Sequence, residues 1–272
     1  MPDIYQSLDQ QGEDTVRVVA DRLEFRGEMP DFIKMRERYF DRLDWASCRR
    51  IVDLGCGTGV VTRALADRVG PECKIVGSDL AAELIKVAME KTDAAGLAGR
   101  IRYEVADSRN TGDGEGSFDI VIAHTVISHV VDPAAMLEEA ARLTRPGGTI
   151  AVFDGDYASL TIGAGDPDAN AMAVNAILQT VVGNPFVLRH LPFLARQTGL
   201  EVSGFIPELL AEAGQTSFFG NMIDAYVGPC IQAGAIDAET ALKWAEGQKT
   251  AAREGTFFGS CNYYTYLLRK PE

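Results

Sequence analysis

Between residues 50 and 157 the chain alternates two hydrophobic rhythms. RRIVDLG, CKIVGSD, RIRYEVAD, FDIVIAHT and TIAVFDGDY are short apolar runs that read as strands. Segments between them carry apolar residues every three or four positions, as amphipathic helices do. VVTRALADRVG is predicted to stop at Gly70 and AAELIKVAMEKTDAAG at Gly96. PAAMLEEAARLTRPGG starts on Pro133 and is predicted to run to its Pro-Gly-Gly. Strand and helix in alternation predict a parallel sheet with helices on both faces. Near-continuous Val and Ile predict strands buried on both sides.

The flanks follow other patterns. Val16, Val18, Val19 and Leu23 give residues 13–24 a helical rhythm. Residues 30–43 read as a second helix, with Pro30 in its first turn and an apolar stripe of Phe32, Met35, Tyr39, Phe40 and Leu43. Beyond Tyr157, residues 168–183 and 185–198 read as helices, and LEVSGFIPELLAE as a strand with an extended tail. Residues 217–254 read as two helices split around Gly234, with Asp237 as N-cap and Gly255 as stop. TFFGSCNYYTYLLRK is a final strand. The expected organisation is an N-terminal helical lid, 1–48, on an α/β body, 49–272. Helical segments at about 156–198 and 213–254 are expected to cover a substrate.

Charge narrows the partner. The chain of 272 residues carries 26 basic and 39 acidic side chains, a formal net charge of −13. That field repels phosphate backbones and anionic membranes, so a small molecule is expected in place of nucleic acid or a membrane. No apolar run approaches the ~20 residues of a membrane span. The first residues, MPDIYQSLDQQGED, lack the apolar core of a secretory signal, and a cytoplasmic location is expected. Five cysteines without a C-x-x-C, and three histidines without ligand spacing, predict neither a disulfide framework nor a metal site.

The chemistry gathers at IVDLGCGTG, residues 51–59. Gly55, Gly57 and Gly59 follow a predicted strand and precede a predicted helix. There glycines allow a tight turn and close approach of backbone to ligand, beside the free N–H groups of the helix start. Asp79 ends the next strand, 20 residues beyond Gly59, where its carboxylate can accept from ribose hydroxyls. Alternatively Asp79 only caps the helix that follows. The spacing is G-x-G-x-G, one position short of the dinucleotide fingerprint, and no Lys marks a P-loop.

VDLGCGTG resembles the first motif of class I S-adenosylmethionine-dependent methyltransferases, and the resemblance extends over about residues 50–157 through EVADSRN, GSFDIVIAHTVISHV and LTRPGGTIAVFD. It looks closest to the UbiE-like, type 11 small-molecule branch. The resemblance implies a Rossmann-like doubly wound α/β fold: a seven-stranded, mostly parallel sheet with an antiparallel last strand, under helical lid segments. It also implies S-adenosylmethionine as cofactor and its demethylated form as product. Asp53 would hold the methionine end, directly or through water. Gly55, Cys56, Gly57, Thr58 and Gly59 would lie against methionine and ribose, and Asp79, with Leu80 beside it, would take the ribose. Asp107 would accept from the adenine amino group next to Ser108. His124 and Thr125 would flank the methionine.

Methyl transfer from a sulfonium demands alignment first, and a base where the acceptor is a hydroxyl or carbon acid. His129, in VISHVVDP, is either that base or an imidazole fixing its loop to Asp132. Asp154, Asp156 and Tyr157 end the fifth predicted strand, where open α/β sheets place ligands. Asp156 and Tyr157 are candidate substrate contacts or a polar turn. His190, beside Arg189, reads as a solvated helix face. Arg36 pairs either with the ligand's carboxylate or with a surface acid. Phe186, Phe193, Phe218, Phe219, Met222 and Tyr226 suit a flat or apolar acceptor, or simply core. The expected function is methylation of an O, N or C atom of a small organic molecule, a secondary metabolite or quinone-like compound. A SAM-binding cyclase or decarboxylase is the alternative, and a nicotinamide-dependent oxidoreductase a weaker one. A homodimer is left open.

Overall fold

The computed structural model describes residues 3–272, the Ile4 side chain excepted. Its strands are β1 (Arg50–Leu54), β2 (Lys74–Asp79), β3 (Ile101–Val105), β4 (Phe118–His124), β5 (Thr144–Ile162), β6 (Glu201–Gly214) and β7 (Phe257–Arg269). They form one seven-stranded sheet in the order β3-β2-β1-β4-β5-β7-β6. Strands β1 to β5 pair in parallel, and β7 runs antiparallel to both of its neighbours. This is the Rossmann-like sheet with an antiparallel last strand. Strand order reverses between β1 and β4, which opens a crevice at their C-terminal ends.

The helices are α1 (Glu13–Glu28), α2 (Pro30–Phe40), α3 (Val60–Leu65), α4 (Ala82–Ala94), α5 (Pro133–Leu143), α6 (Pro167–Val181), α7 (Val187–Gln197), α8 (Phe218–Gln232) and α9 (Ala238–Glu254). Alternate strand residues face opposite ways. Ile51, Ile75, Ile122 and Phe153 face one core, built with α2, α3, α6, α8 and α9. Their neighbours Val52, Val76, Val121 and Val152 face the other, built with α5 and α7. A third, smaller cluster joins Val16, Val19 and Ala20 of α1 to Leu84 of α4. Among the described residues, no helix is long and apolar enough to cross a membrane.

Two helix ends differ from expectation, and one helical segment divides between the faces of the sheet. Helix α5 stops at Leu143, before the Pro-Gly-Gly. Thr144 is extended, its hydroxyl donates to the Ala140 carbonyl at 2.7 Å, and Pro146 disfavours a helical Arg145. The Pro-Gly-Gly instead lies in the irregular first part of β5. Helix α3 ends at Leu65, not Gly70. Segment 156–198 does not stay on one side of the sheet: α6 packs with α8 and α9, whereas Leu188, Leu191 and Ala195 of α7 pack with Met136 and Leu137 of α5. Phe32, Met35, Tyr39 and Phe40 of the N-terminal segment share one core with Ile51 and Phe153 of the α/β body.

Candidate active site

The crevice between β1 and β4 opens into a cleft of about 1270 Å³, its mouth included. The β1–α3 loop forms its floor. Gly55, Gly57 and Gly59 hold φ of +69°, +54° and +76°, a left-handed backbone that side chains resist. A Cβ on Gly57 would press on Leu23 of α1, and one on Gly59 would overlap the Tyr103 side chain. Helix α1 therefore lies directly against the loop. Gly59 starts α3 and does not line the cleft, whereas Gly55, Cys56, Gly57 and Thr58 do.

Asp79 turns back from the end of β2. One carboxylate oxygen accepts from Gly57 N–H at 2.8 Å and the other from Ala81 N–H at 2.9 Å. It thus both ties the glycine loop and holds the start of α4, and it faces the cleft beside Leu80. Asp53 is placed differently. Its carboxylate is 1% exposed, accepts from the Thr62 hydroxyl at 2.6 Å, and lies behind the loop, outside the cleft lining. Burial pushes its pKa up to about 7; nearby Asp79 adds to this and the Thr62 bond opposes it.

Asp107 and Ser108 stand at the far rim. Both Asp107 oxygens accept from the Arg109 guanidinium, at 2.6–3.1 Å, which holds this carboxyl below its usual range. On the opposite wall, His124 Nδ1 sits 2.9 Å from the Tyr39 hydroxyl, and its ring stacks on Phe153. Burial lowers the His124 pKa far enough to keep the imidazole neutral, and raises that of Tyr39, so this hydrogen bond joins two uncharged groups. Thr125 follows with φ +53°, a conformation a β-branched residue adopts only when held there. Its N–H donates to the Phe153 carbonyl at 2.6 Å, and its hydroxyl accepts from Arg26 at 2.7 Å. Arg36 also reaches the cleft, with its guanidinium on Glu37 at 3.1 Å.

His129 lines the cleft, but its partner is not Asp132, whose carboxylate caps α5 through Ala135 N–H at 3.0 Å. His129 Nδ1 instead lies 2.6 Å from Asp3. Asp3 is held in turn by the N–H groups of Tyr5 and Gly183, at 3.0 and 2.9 Å. Burial alone would lower the His129 pKa; the Asp3 carboxylate overrides it and the net shift is upward. With Nδ1 donating to Asp3, Nε2 of the neutral ring is left to accept a proton. The His129 ring centroid lies 4.5 Å from that of Tyr5 and 6.0 Å from that of Tyr157.

The remaining expected residues scatter. Tyr157 lines a smaller cavity next to the cleft, and burial raises its phenol pKa well above the ordinary value. Asp156 lines neither; it is buried beneath a bidentate pair with Arg189 at 2.9–3.1 Å. Asp154 is fully buried, accepting from Ser128 and Gly155 N–H. His190, Phe186 and Phe193 are exposed, Phe219 is core, and Phe218, Met222 and Tyr226 line the smaller cavity. Sequence reasoning missed Asp3, Tyr5, Arg26 and Tyr39. Arg26 had one signal, a second arginine four residues earlier on the same helix face; Asp3 had none.

Residues 51–148 match the family model of the methyltransferase domain. The ubiquinone biosynthesis O-methyltransferase of Methylococcus capsulatus is 32% identical over 145 residues, 53% of this chain and 53% of that protein. Methyltransferase GfsG of Streptomyces halstedii is 31% identical over 121 residues, 44% of this chain and 43% of that one. The chain spans about half the length of the curated relatives it matches. Two solved structures share the fold. Phosphoethanolamine N-methyltransferase 2 of Haemonchus contortus, in complex with S-adenosyl-L-methionine, aligns at TM-score 0.58 and 18% identity over 100% of this chain and 61% of its own. The [4+2]-cyclase SpnF aligns at TM-score 0.63 and 15% identity over 100% and 98%. Domain match, relatives and sheet topology agree: residues 51–148 form a methyltransferase domain, similar in sequence to quinone-biosynthesis methyltransferases including those of the UbiE type, on a Rossmann-like sheet.

Proposed function

We propose that the cleft binds S-adenosylmethionine and that the protein transfers its methyl group to an oxygen, nitrogen or carbon atom of a small organic molecule. The observation that carries this reading is the left-handed glycine loop tied to Asp79 at the switch point of the sheet. The lining fits such a ligand. Each Asp79 oxygen accepts one backbone bond and keeps a lone pair for a ribose hydroxyl. Asp107 and Ser108 serve the adenine end, and the backbone of Gly55–Thr58 lies along the ribose and methionine. The Thr58 hydroxyl is buried with no hydrogen-bond partner among the described residues, a polar group awaiting one. Arg36 and Arg26 offer guanidinium groups to a carboxylate, and Asp53 acts from behind the loop, through water.

When bound, the cofactor supplies a methyl group on a sulfonium, with a neutral thioether as leaving group. The protein's own work is to bind, orient and keep water away. Tyr5, Leu23 and Phe32 form the apolar side of the cleft. His129 accepts the proton that a hydroxyl or carbon acid must lose, while Asp3 fixes its tautomer and stabilises the imidazolium. Tyr157 stays protonated and orients the acceptor by hydrogen bonding.

Calorimetric titration with S-adenosylhomocysteine tests the reading. Saturable binding is expected, weakened about tenfold or more in Asp79→Ala; no binding by the parent protein overturns it. Product mass tests the chemistry: a gain of one CH₂ supports methyl transfer, and cofactor-dependent conversion without it points to the cyclase-like alternative.

A further inference from the structure

A second cavity, of about 440 Å³ with its open mouth included, adjoins the cleft and shares Tyr5, Leu23 and Arg26 with it. The rings of Tyr157, Phe218 and Tyr226 and the thioether of Met222 line it around the guanidinium of Arg22. Arg22 stands one turn before Arg26 on α1, a like-charge spacing that weakens a helix. The chain carries 39 acidic side chains against 26 basic ones, yet among the described residues neither arginine has a carboxylate within ion-pair distance. Arg26 is engaged with the Thr125 hydroxyl. The Arg22 guanidinium lies 4.6 Å over the Tyr226 ring, and its Nε is buried without a hydrogen-bond partner. Burial keeps Tyr5 and Tyr157 protonated, so neither phenol supplies the missing anion.

Taking the cleft as the cofactor site, we propose that this cavity holds the methyl acceptor and that the acceptor is a flat organic acid whose carboxylate pairs with Arg22. The planar guanidinium presents two parallel N–H groups that match a carboxylate. Aromatic walls stack against a planar body. The end of such an acid remote from Arg22 would meet the cleft beside Tyr5, whose ring lies against His129.

The test uses the full chain saturated with S-adenosylhomocysteine, titrated with 4-hydroxybenzoate, its methyl ester and phenyl phosphate. The acid is expected to bind about tenfold or more tighter than the ester. Arg22→Gln should abolish that preference and Arg22→Lys restore part of it, with cofactor-product affinity and thermal midpoint unchanged in both. Equal binding of acid and ester, an unaltered preference in Arg22→Gln, or no binding of the acid at millimolar concentration overturns the proposal. Tighter binding of phenyl phosphate than of the acid overturns the carboxylate assignment in favour of a phosphate ester. Failure of S-adenosylhomocysteine to bind refutes the cofactor reading instead. The acid–ester contrast, measured on the protein alone, then decides the cavity separately.

Discussion

At the scale of single residues, the site is built from buried ionisable groups, and three carboxyls and one imidazole among them titrate upward. Burial raises the pKa of Asp53, Asp79 and Asp154. An acid that is harder to ionise in the folded than in the unfolded state costs stability as pH rises from its unfolded to its folded pKa. For Asp53 that window runs from the ordinary carboxyl value to about 7. His129 has a raised pKa too, so its pair with Asp3 contributes fully below the ordinary imidazole value and is lost as pH rises through the folded one. Both signs make these groups destabilising at pH 8 relative to pH 5, and His124, whose pKa burial depresses, acts in the opposite sense. Asp53→Asn, which keeps an acceptor for Thr62, should remove its share of this dependence in melting curves, with the midpoint rising at pH 8 and little changed at pH 5. Asp3→Asn should lower the maximal methylation rate by about tenfold or more and move the pH–rate midpoint downward. A profile unchanged in shape would refute His129 as base. His129 was legible as a candidate because it follows a strand end. Its partner was not: Asp3 is 126 residues away, and the neighbouring acid, Asp132, is spent on the start of α5.

Among the elements, the β1–α3 loop divides its glycines between ligand and frame. Gly57 lines the cleft under Leu23, whereas Gly59 packs α3 against Tyr103, whose hydroxyl is held 2.9 Å from Thr92. Alanine at either position is forced into a left-handed backbone, at about 1–3 kcal/mol in urea unfolding. The two should separate in binding: Gly57→Ala loses affinity for S-adenosylhomocysteine beyond its loss of stability, and Gly59→Ala loses mainly stability. The loop's shape was readable from its glycines because a left-handed residue leaves a compositional mark. The end of α5 was not, since a Pro-Gly-Gly stops a helix wherever the chain has already turned. The side taken by α7 was equally hidden, because an apolar stripe specifies burial and not which face of the sheet receives it.

For the whole molecule, the two sheet-facing cores hold most of the large buried side chains, while α1 is anchored to α4 by a small cluster of Val16, Val19, Ala20 and Leu84. That helix carries Leu23, Arg26 and Gly27 into the cleft. An element held by few apolar contacts opens more easily than the core. Amide exchange should therefore slow across Glu13–Glu28 when S-adenosylhomocysteine is added and stay unchanged across Ala238–Glu254 of α9, which lines no part of the cleft. Equal protection of both helices would mean that α1 is not the cover.

Local patterning by itself determined the order of strands and helices, the burial of the sheet on both faces, and the glycine loop with Asp79. Each of these leaves its signal within a few residues, as a period, a run or a turn type. Only the tertiary structure decided that Asp53 lies behind the loop, that Asp156 is locked to Arg189, that His129 is oriented by Asp3, and that Arg22 and Arg26 share a cavity wall with three tyrosines and two phenylalanines. The three hydrogen-bonded pairings reach across 9 to 126 residues of chain. Partners at such separations are chosen by packing and by the demand that buried charges be met, neither of which has a period along the sequence.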